Sequence, residues 1–277
     1  MYTYNDYWLA HHGVLGQKWG VRNGPPYPLG SDMSTGKRLK TGTAGETSHP
    51  KISNRKFKKA LNYSTAAFAF ETKHVIKNPP VKIQGIKLKT GECTIFEDVE
   101  STNPNYRTSE NFKNNCRYCT YTYDMRCRGY DVQAKSKGSD KQYWENAGYG
   151  AASKIYYPPP NEDRWTGIHD SEGNEITTKP SKQQSSRLKE MAQYQFDQLP
   201  KNCRGEFVTT FWFDNECGHS LAFEKKDGRL LILDTQIGGV FDIDSYYGFT
   251  DRRISAFQIN RLDNLDFYPD QIKRFCK

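Results

Sequence analysis

The sequence lacks any window of eighteen apolar residues, so it predicts no helix that crosses a membrane. Its first thirty residues have no continuous apolar stretch and include Asp6, Lys18 and Arg22, so they do not predict a secretory signal. Hydrophobic residues make up only 35% of the chain, which indicates a very polar surface. We therefore expect no association with a membrane.

The cysteines do not form the pattern of a disulfide framework. There are seven of them, an odd number, spread over 277 residues. Reduced thiols in a cytosol fit this distribution better. A chain of this length can bury a core and form one or two domains, and the abundance of aromatic residues (18 Tyr and 15 Phe) favours a core that contains β-strands.

Positive charge is concentrated in the N-terminal part of the chain. Residues 1–60 carry ten Lys and Arg but only three acidic residues, whereas the remainder carries 30 basic and 29 acidic residues. The basic character therefore belongs to an N-terminal arm and not to the folded body. Such an arm can bind nucleic acid or an acidic protein surface, or it can simply be a solvated tail.

Residues 1–50 are rich in Gly, Pro, Ser and Thr without a sustained period, and we expect most of this arm to be flexible. Residues 7–22 are the exception, because they contain two tryptophans and several aliphatic residues, and a segment exposed to solvent gains nothing from such apolar side chains. We expect this segment to dock on another protein, or else to pack back on its own domain.

The middle of the chain predicts short elements that lead into a larger domain. Residues 51–70 predict a basic helix, residues 81–88 alternate as a short strand does, and Thr94–Phe96 suggests another strand. We assign residues 51–100 to a connecting region and residues 101–277 to one catalytic domain. Residues 135–181 look rich in loops, with three consecutive prolines at 158–160.

Helices come first in the larger domain and strands follow. A helix is predicted from Cys116 to about Arg128, ended by Gly129, and a second from about Ser185 to Leu199. A short strand is predicted at 130–134, and longer ones at 207–213, 220–224, 230–233 and 253–260, with an Asp-Gly hairpin turn at 227–228. This order indicates an α+β fold.

Three residues have the types and the order of a cysteine-nucleophile hydrolase. Cys116 begins the first helix, where unpaired N–H groups and the helix dipole favour a thiolate. His219 lies on a strand, which holds an imidazole rigidly enough to move protons. Asp234 ends the next strand, and the hairpin turn should place it almost opposite His219, where it can orient the ring.

Two neighbours complete the predicted site. Asn115 can cap the helix, and its amide could donate to an oxyanion together with the backbone N–H of Cys116. Gln236 could line the cleft or partly replace Asp234. Each residue also has an ordinary explanation, since a single cysteine is more often a small buried hydrophobe than a nucleophile.

Two alternatives concern the same thiols. Cys119 is a rival nucleophile, although it lies one helical turn beyond the cluster of unpaired N–H groups. Zinc is the other alternative, because Cys116, Cys119, Cys217 and His219 could form a Cys3His set. The gap of about a hundred residues is long for such a site, and bound zinc would occupy the thiolate.

Residues 11–22 read His-His-Gly-Val-Leu-Gly-Gln-Lys-Trp-Gly-Val-Arg. This string resembles a short N-terminal segment of head-associated proteins from tailed phages of Gram-positive bacteria. The resemblance implies that residues 7–22 contact phage capsid or head proteins. It also implies a location in the virion, in the cytoplasm of the bacterial host, or in both.

A second resemblance covers roughly residues 100–262. It rests on the Asn-Cys-x-x-Cys sequence at 115–119, on Arg-Gly-Tyr-Asp-Val at 128–132, on Gly-His-Ser at 218–220 and on Leu-Asp-x-Gln at 233–236. These motifs are similar to those of papain-fold toxins, which are commonly described as glutamine deamidases of polymorphic and phage-borne systems. The resemblance implies Cys116 as nucleophile, His219 as acid and base, and Asp234 as orienting residue.

The resemblance also implies a papain-like fold, with the nucleophile helix packed on a C-terminal antiparallel sheet. The expected activity is cofactor-free deamidation of a glutamine side chain on a host protein. Peptidases and transglutaminases share such folds, so a cysteine peptidase that processes capsid or host proteins is a second expectation. A basic virion protein without catalysis, which binds nucleic acid or capsid, is a third.

Overall fold

The structure is a computed structural model that describes residues 63–74, 76, 80–148, 150–161, 165–169, 179–212, 216–250 and 253–277. The predictions for the arm at 1–50, including the segment at 7–22, lie outside the described residues. So does most of the helix predicted at 51–70, of which the structure describes Tyr63–Glu71.

Helices and strands alternate in the first half of the described chain, and strands dominate the second half. The helices are α1 (Tyr63–Glu71), α2 (Ile95–Thr102), α3 (Cys116–Cys127), α4 (Asp140–Ala147), α5 (Ala151–Ile155), α6 (Lys182–Gln198) and α7 (Ile243–Thr250). The strands are β1 (Lys87–Leu88), β2 (Tyr130–Asp131), β3 (Tyr156–Tyr157), β4 (Thr166–Gly167), β5 (Cys203–Trp212), β6 (Glu216–Lys226), β7 (Arg229–Asp234), β8 (Gly239–Phe241), β9 (Arg253–Arg261) and β10 (Asp266–Phe267). Short 3-10 helices lie at Glu110–Phe112 and Pro269–Arg274.

A six-stranded antiparallel sheet organises the fold, in the order β4-β9-β5-β6-β7-β8. Its four longest strands confirm the strands predicted at 207–213, 220–224, 230–233 and 253–260, each a few residues longer or shifted at its ends. The predicted α+β class is confirmed. The hairpin turn is also confirmed, since Asp227 and Gly228 both have positive φ angles, as a tight hairpin of this type requires.

Helix α3 lies at the centre of the molecule. All twelve of its residues are buried, including Arg117 and Asp124, which is unusual for a helix with so many polar side chains. It packs on β6 and β5, and the apolar side chains of α4, α5 and the C-terminal residues cover its other side. Gly129, with a φ of 99°, ends the helix as predicted.

Three apolar clusters surround this helix and the sheet. One joins Leu188, Ala192 and Phe196 of α6 to the opposite side of the sheet, where Phe207 and Phe223 contact Phe196 edge to face. A second cluster fills the space between α3 and the C-terminal residues. A third connects α1 and α2 to the sheet. Helix α6 begins with a capping box at Ser181 and Gln184, three residues before the predicted start.

Some local predictions are wrong. Thr94–Phe96 is not a strand, because Thr94 caps α2 through the Glu97 N–H and Glu97 returns a bond to the Thr94 N–H. The predicted strand at 81–88 is reduced to β1, which pairs with β2. The region at 135–181 holds α4, α5 and the short strands β3 and β4 as well as loops.

Within the described residues, no helix is both long enough and apolar enough to span a membrane.

The close approach of β5 and β9 depends on Gly205. A Cβ atom at this position would lie 1.9 Å from the main-chain oxygen of Asn260 and 2.9 Å from the Cα of Arg261. No side-chain rotation relieves a contact with backbone. We predict that Gly205→Ala lowers the free energy of unfolding by at least about 3 kcal/mol in urea denaturation of the full chain.

Gly91→Ala is the matched control. Gly91 has a φ of 97°, and no atom lies within 4 Å of the added Cβ. The Gly91→Ala variant therefore measures the cost of an unfavourable backbone conformation without a steric contact. We expect it to cost only about 1 kcal/mol. An equal loss in both variants would contradict the importance of the strand contact.

Candidate active site

Cys116 is the first residue of α3, at the end of the helix where backbone N–H groups have no partner within the helix. Its side chain is buried, with 2% of the residue exposed. The sulfur lies 3.8 Å from the hydroxyl of Tyr143, which also accepts a hydrogen bond from the Arg117 N–H at 3.4 Å. The helix dipole favours a negative sulfur at this position.

His219 and Asp234 meet beneath the same end of the helix. The Nε2 atom of His219 lies 3.1 Å from Oδ2 of Asp234, and both side chains are buried. Because Nε2 faces the carboxylate, Nδ1 is the ring nitrogen left to face a sulfur. A hydrogen bond and charge from Cys116 also act on the His219 ring, so the structure brings the three residues of the predicted triad together.

The hairpin produces this contact with a different register from the one expected. The β6–β7 ladder runs from Lys226↔Arg229 to Ala222↔Leu233. Asp234 is one residue beyond this ladder and His219 is three residues beyond it, so the two are diagonal and not directly opposite. Diagonal neighbours in a sheet remain within reach of long side chains.

The surroundings of His219 favour the charged ring. Burial by itself lowers the pKa of this imidazole, but the Asp234 carboxylate and a hydrogen bond and charge from Cys116 outweigh it. Together they raise the pKa of His219 to about 9. The arrangement therefore supports an imidazolium between a carboxylate and a sulfur anion near neutral pH.

The predicted capping role of Asn115 is wrong, because its side chain makes no capping hydrogen bond to α3. Its amide nitrogen donates to the main-chain oxygen of Lys135 at 2.8 Å, which uses one of its two N–H groups. The oxyanion role of Asn115, together with the backbone N–H of Cys116, stays a prediction. The amide oxygen of Asn115 accepts hydrogen bonds from neighbouring side chains.

Gln236 is one of the residues that Asn115 holds. Its Nε2 atom donates to the Asn115 Oδ1 atom at 3.4 Å, and Asn103 donates to its main-chain oxygen at 2.9 Å. Its Oε1 atom is buried and has no hydrogen-bond partner among the described residues. The structure thus places Gln236 against Asn115, next to the first turn of α3, with an unpaired acceptor atom.

Cys119 is a poor nucleophile in this structure. Its side chain is fully buried, and its thiol donates to Asn115 Oδ1 at 3.3 Å. Burial, reinforced by the nearby Cys116 and Asp234, raises the pKa of the Cys119 thiol well above its usual value. The zinc alternative also requires Cys217, whose side chain lies outside the described residues.

A buried polar network connects the helix to the strands. Arg117, next to Cys116, donates to Glu206 of β5 at 2.9 Å. Glu206 accepts a bond from Ser220, which is next to His219, and Ser220 bonds Thr120 of the helix, both at 2.9 Å. The residues adjacent to Cys116 and His219 are therefore joined through one carboxylate.

A second cluster lies at the opposite end of α3, and sequence reasoning missed it. The ring nitrogens of His74 contact Asp98 at 2.6 Å and Glu224 at 2.8 Å. Cys127, the last helical residue, has its sulfur 3.6 Å from His74 Nε2, and Tyr123 donates to Glu224 at 2.7 Å. Sequence separations of 24 and 150 residues between His74 and its carboxylate partners gave no local signal.

Charged protein groups balance this second cluster. Lys89 and Arg126 both bond the Oδ1 atom of Asp98, while His74 takes its Oδ2 atom. Burial opposes the charged imidazole, yet Cys127, Glu224 and Asp98 raise the pKa of His74 well above its ordinary value. His74, Asp98 and Cys127 have ligand atoms within 4.8 Å of one another and are the described residues best placed to hold a metal ion.

No protein-family model, no curated protein and no solved structure matches this chain. The geometry of the described residues, together with the motifs in the sequence, therefore carries the functional argument.

The charge on His219 leads to a prediction that does not depend on activity. In ¹³C-histidine NMR spectra of the full chain, the His219 signal should titrate with a midpoint of about 9. Asp234→Asn should move the midpoint to lower pH, since the carboxylate is the main group that raises it. His219→Ala assigns the signal, and Asp263→Asn is the charge-matched control.

The same shift predicts a direction for stability. Because folding raises the pKa of His219 from 6.5, its protonation stabilises the folded state. This contribution to the free energy of unfolding is complete below pH 6.5 and is lost as the pH rises to about 9.

The NMR titration tests the contact between His219 and Asp234 directly. A midpoint for His219 that stays the same in Asp234→Asn would contradict this contact.

The Arg117–Glu206 ion pair gives a second prediction. Glu206→Gln keeps the size of the side chain but leaves the buried guanidinium without its counter-charge. We predict that it lowers the free energy of unfolding by about 3–5 kcal/mol in urea denaturation. The control is Glu110→Gln, which removes a more exposed pair with Lys113 and should cost no more than about 1 kcal/mol.

Similar losses in Glu206→Gln and Glu110→Gln would show that the buried pair does not hold the helix on the sheet.

Proposed function

We propose that this chain is a papain-like cysteine amidohydrolase that deamidates a glutamine side chain of a protein substrate. One observation carries the proposal: a cysteine at the first turn of a buried helix meets a histidine whose other ring nitrogen is bonded to an aspartate. These are the parts of an activated thiol nucleophile. The motifs around Cys116, His219 and Asp234 that resemble papain-fold toxins support the same assignment.

The fold is consistent with the papain-like part of the proposal. In such an arrangement the nucleophile comes from the start of a helix and the histidine from the sheet against which the helix packs. Helix α3 packs on β6, and β6 carries His219. The Arg117–Glu206 pair and the Ser220–Thr120 bond keep the two elements in register.

The reaction follows from these positions. The Cys116 thiolate attacks the carboxamide carbon, and the first N–H groups of α3 stabilise the oxyanion. The charged His219 ring gives its proton to the leaving nitrogen, so ammonia departs and a thioester remains. His219 then takes a proton from water, the hydroxide attacks the thioester, and glutamate and free Cys116 result. Asp234 holds the ring and its charge throughout.

Burial of the sulfur favours a side-chain amide over a peptide bond. With 2% of Cys116 exposed, little of the sulfur is open to a main chain lying across it, which favours a slender side chain as the group that reaches it. The acceptor Oε1 of Gln236 suits the N–H groups of a carboxamide, which is a donor pair that a peptide bond lacks.

The phage-related part of the proposal rests on residues 11–22, which resemble a segment of phage head-associated proteins. We propose that the basic arm attaches the enzyme to capsid or head proteins, so that it is carried with the virion and acts in the host cytoplasm. Loss of residues 1–50 should then abolish incorporation into particles and leave the chemistry unchanged.

The activity is tested by incubating the full chain with host protein extract and measuring ammonia together with the mass of tryptic peptides. We predict ammonia release and glutamine-to-glutamate conversion, and a loss of at least about a thousandfold in Cys116→Ala. Cys119→Ala is the matched control and should keep most of the rate. New chain termini in place of deamidated glutamine would show that the enzyme is a peptidase instead.

A further inference from the structure

A pocket of about 210 Å³ opens beside the nucleophile helix, and its lining is basic. Four cations line it, Lys135, Lys137, Arg274 and Lys277, together with the rings of Phe112 and Tyr118. None of the described side chains that line it is acidic. This lining contrasts with the folded body as a whole, where positive and negative residues are nearly equal in number.

The pocket is separated from the sulfur by one layer of aromatic side chains. The ring of Tyr118 lies 4.9 Å from that of Tyr143, and the Tyr143 hydroxyl lies 3.8 Å from the Cys116 sulfur. The Lys137 ammonium lies 5.8 Å from the centre of the same Tyr143 ring. A group held in the pocket is therefore near Tyr143, the side chain that contacts the Cys116 sulfur.

Main-chain bonds fix the pocket to the site. Asn115, which precedes the nucleophile, donates to the Lys135 oxygen at 2.8 Å, and the Lys137 N–H donates to the Asn111 oxygen at 2.8 Å. The main-chain oxygen of Lys277 accepts from the Gln133 N–H at 2.8 Å, so it is already engaged. The Lys277 ammonium lies 6.0 Å from the centre of the Phe112 ring.

We propose that this basic pocket binds an acidic peptide segment of the substrate and so selects glutamines that have carboxylates nearby. The inference rests on the proposed deamidase function for its substrate. Several cations around one concave site raise the local concentration of an anionic ligand and fix its register on the enzyme. The two aromatic rings give the pocket an apolar wall against which a side-chain stem can pack.

Binding can be measured separately from catalysis. Three fluorescent peptides of equal length carry one glutamine flanked by glutamates, by serines or by lysines, and their anisotropy is measured with the full-length Cys116→Ala chain, which cannot turn them over. We expect the glutamate peptide to bind most tightly, with an affinity that falls as salt is added.

Charge reversal identifies the pocket. Arg274→Glu with Lys277→Glu should weaken binding of the glutamate peptide by about tenfold. Arg187→Glu with Lys154→Glu makes the same change in net charge on exposed residues of α6 and α5, and should leave the affinity almost unchanged. Equal losses in the two double variants would overturn the proposal, because they would show that only net charge matters.

The outcomes separate the pocket from the proposed function. If the active chain deamidates the serine and glutamate peptides with equal kcat/KM, the pocket proposal fails and the deamidase proposal stands. If the glutamate peptide binds at the pocket and no glutamine is converted, the pocket stands and the deamidase proposal fails. Tighter binding of a single-stranded oligonucleotide than of the glutamate peptide would assign the pocket to nucleic acid and overturn the inference.

Discussion

The ion pair between Arg117 and Glu206 is the interaction on which the site depends. Both groups are fully buried, and the carboxylate also accepts a bond from Ser220. Arg117 follows Cys116 and Ser220 follows His219, so a single carboxylate sets the separation of α3 and β6 at the candidate site. Two buried charges gain little net stability from such a pair, but breaking it is costly, and this favours one geometry over others.

Helix α3 has a thiol beside an imidazole at each end, and the physics of the helix distinguishes them. Cys116 lies where the dipole favours an anion, and its histidine is bonded to one carboxylate on the far ring nitrogen. Cys127 lies at the end where the dipole opposes an anion, and His74 is already held between Asp98 and Glu224. The first arrangement is suited to catalysis, and the second ties the elements around α1 and α2 to the sheet.

Local patterns in the sequence predict much of the fold and the members of the triad. The helix that begins at Cys116 and ends before Gly129, the Asp-Gly hairpin and the four long strands all depend on signals within a few residues. The strand predicted at Thr94–Phe96 is wrong because the capping box of Thr94 and Glu97 starts a helix there. The cluster around His74 and the ion pair of Arg117 join residues far apart in sequence, and no local pattern records such contacts.

The enclosure of Cys116 also has a consequence for chemical inhibition. With 2% of Cys116 exposed and the rest of its helix buried, the size of an electrophile should limit its access to the sulfur as much as its reactivity does. Under the proposed function, a thin, unbranched electrophile shaped like a glutamine side chain should label Cys116 in preference to the bulky peptidyl warheads used against open-cleft proteases. A carboxylate on that electrophile would suit the basic pocket next to Tyr118.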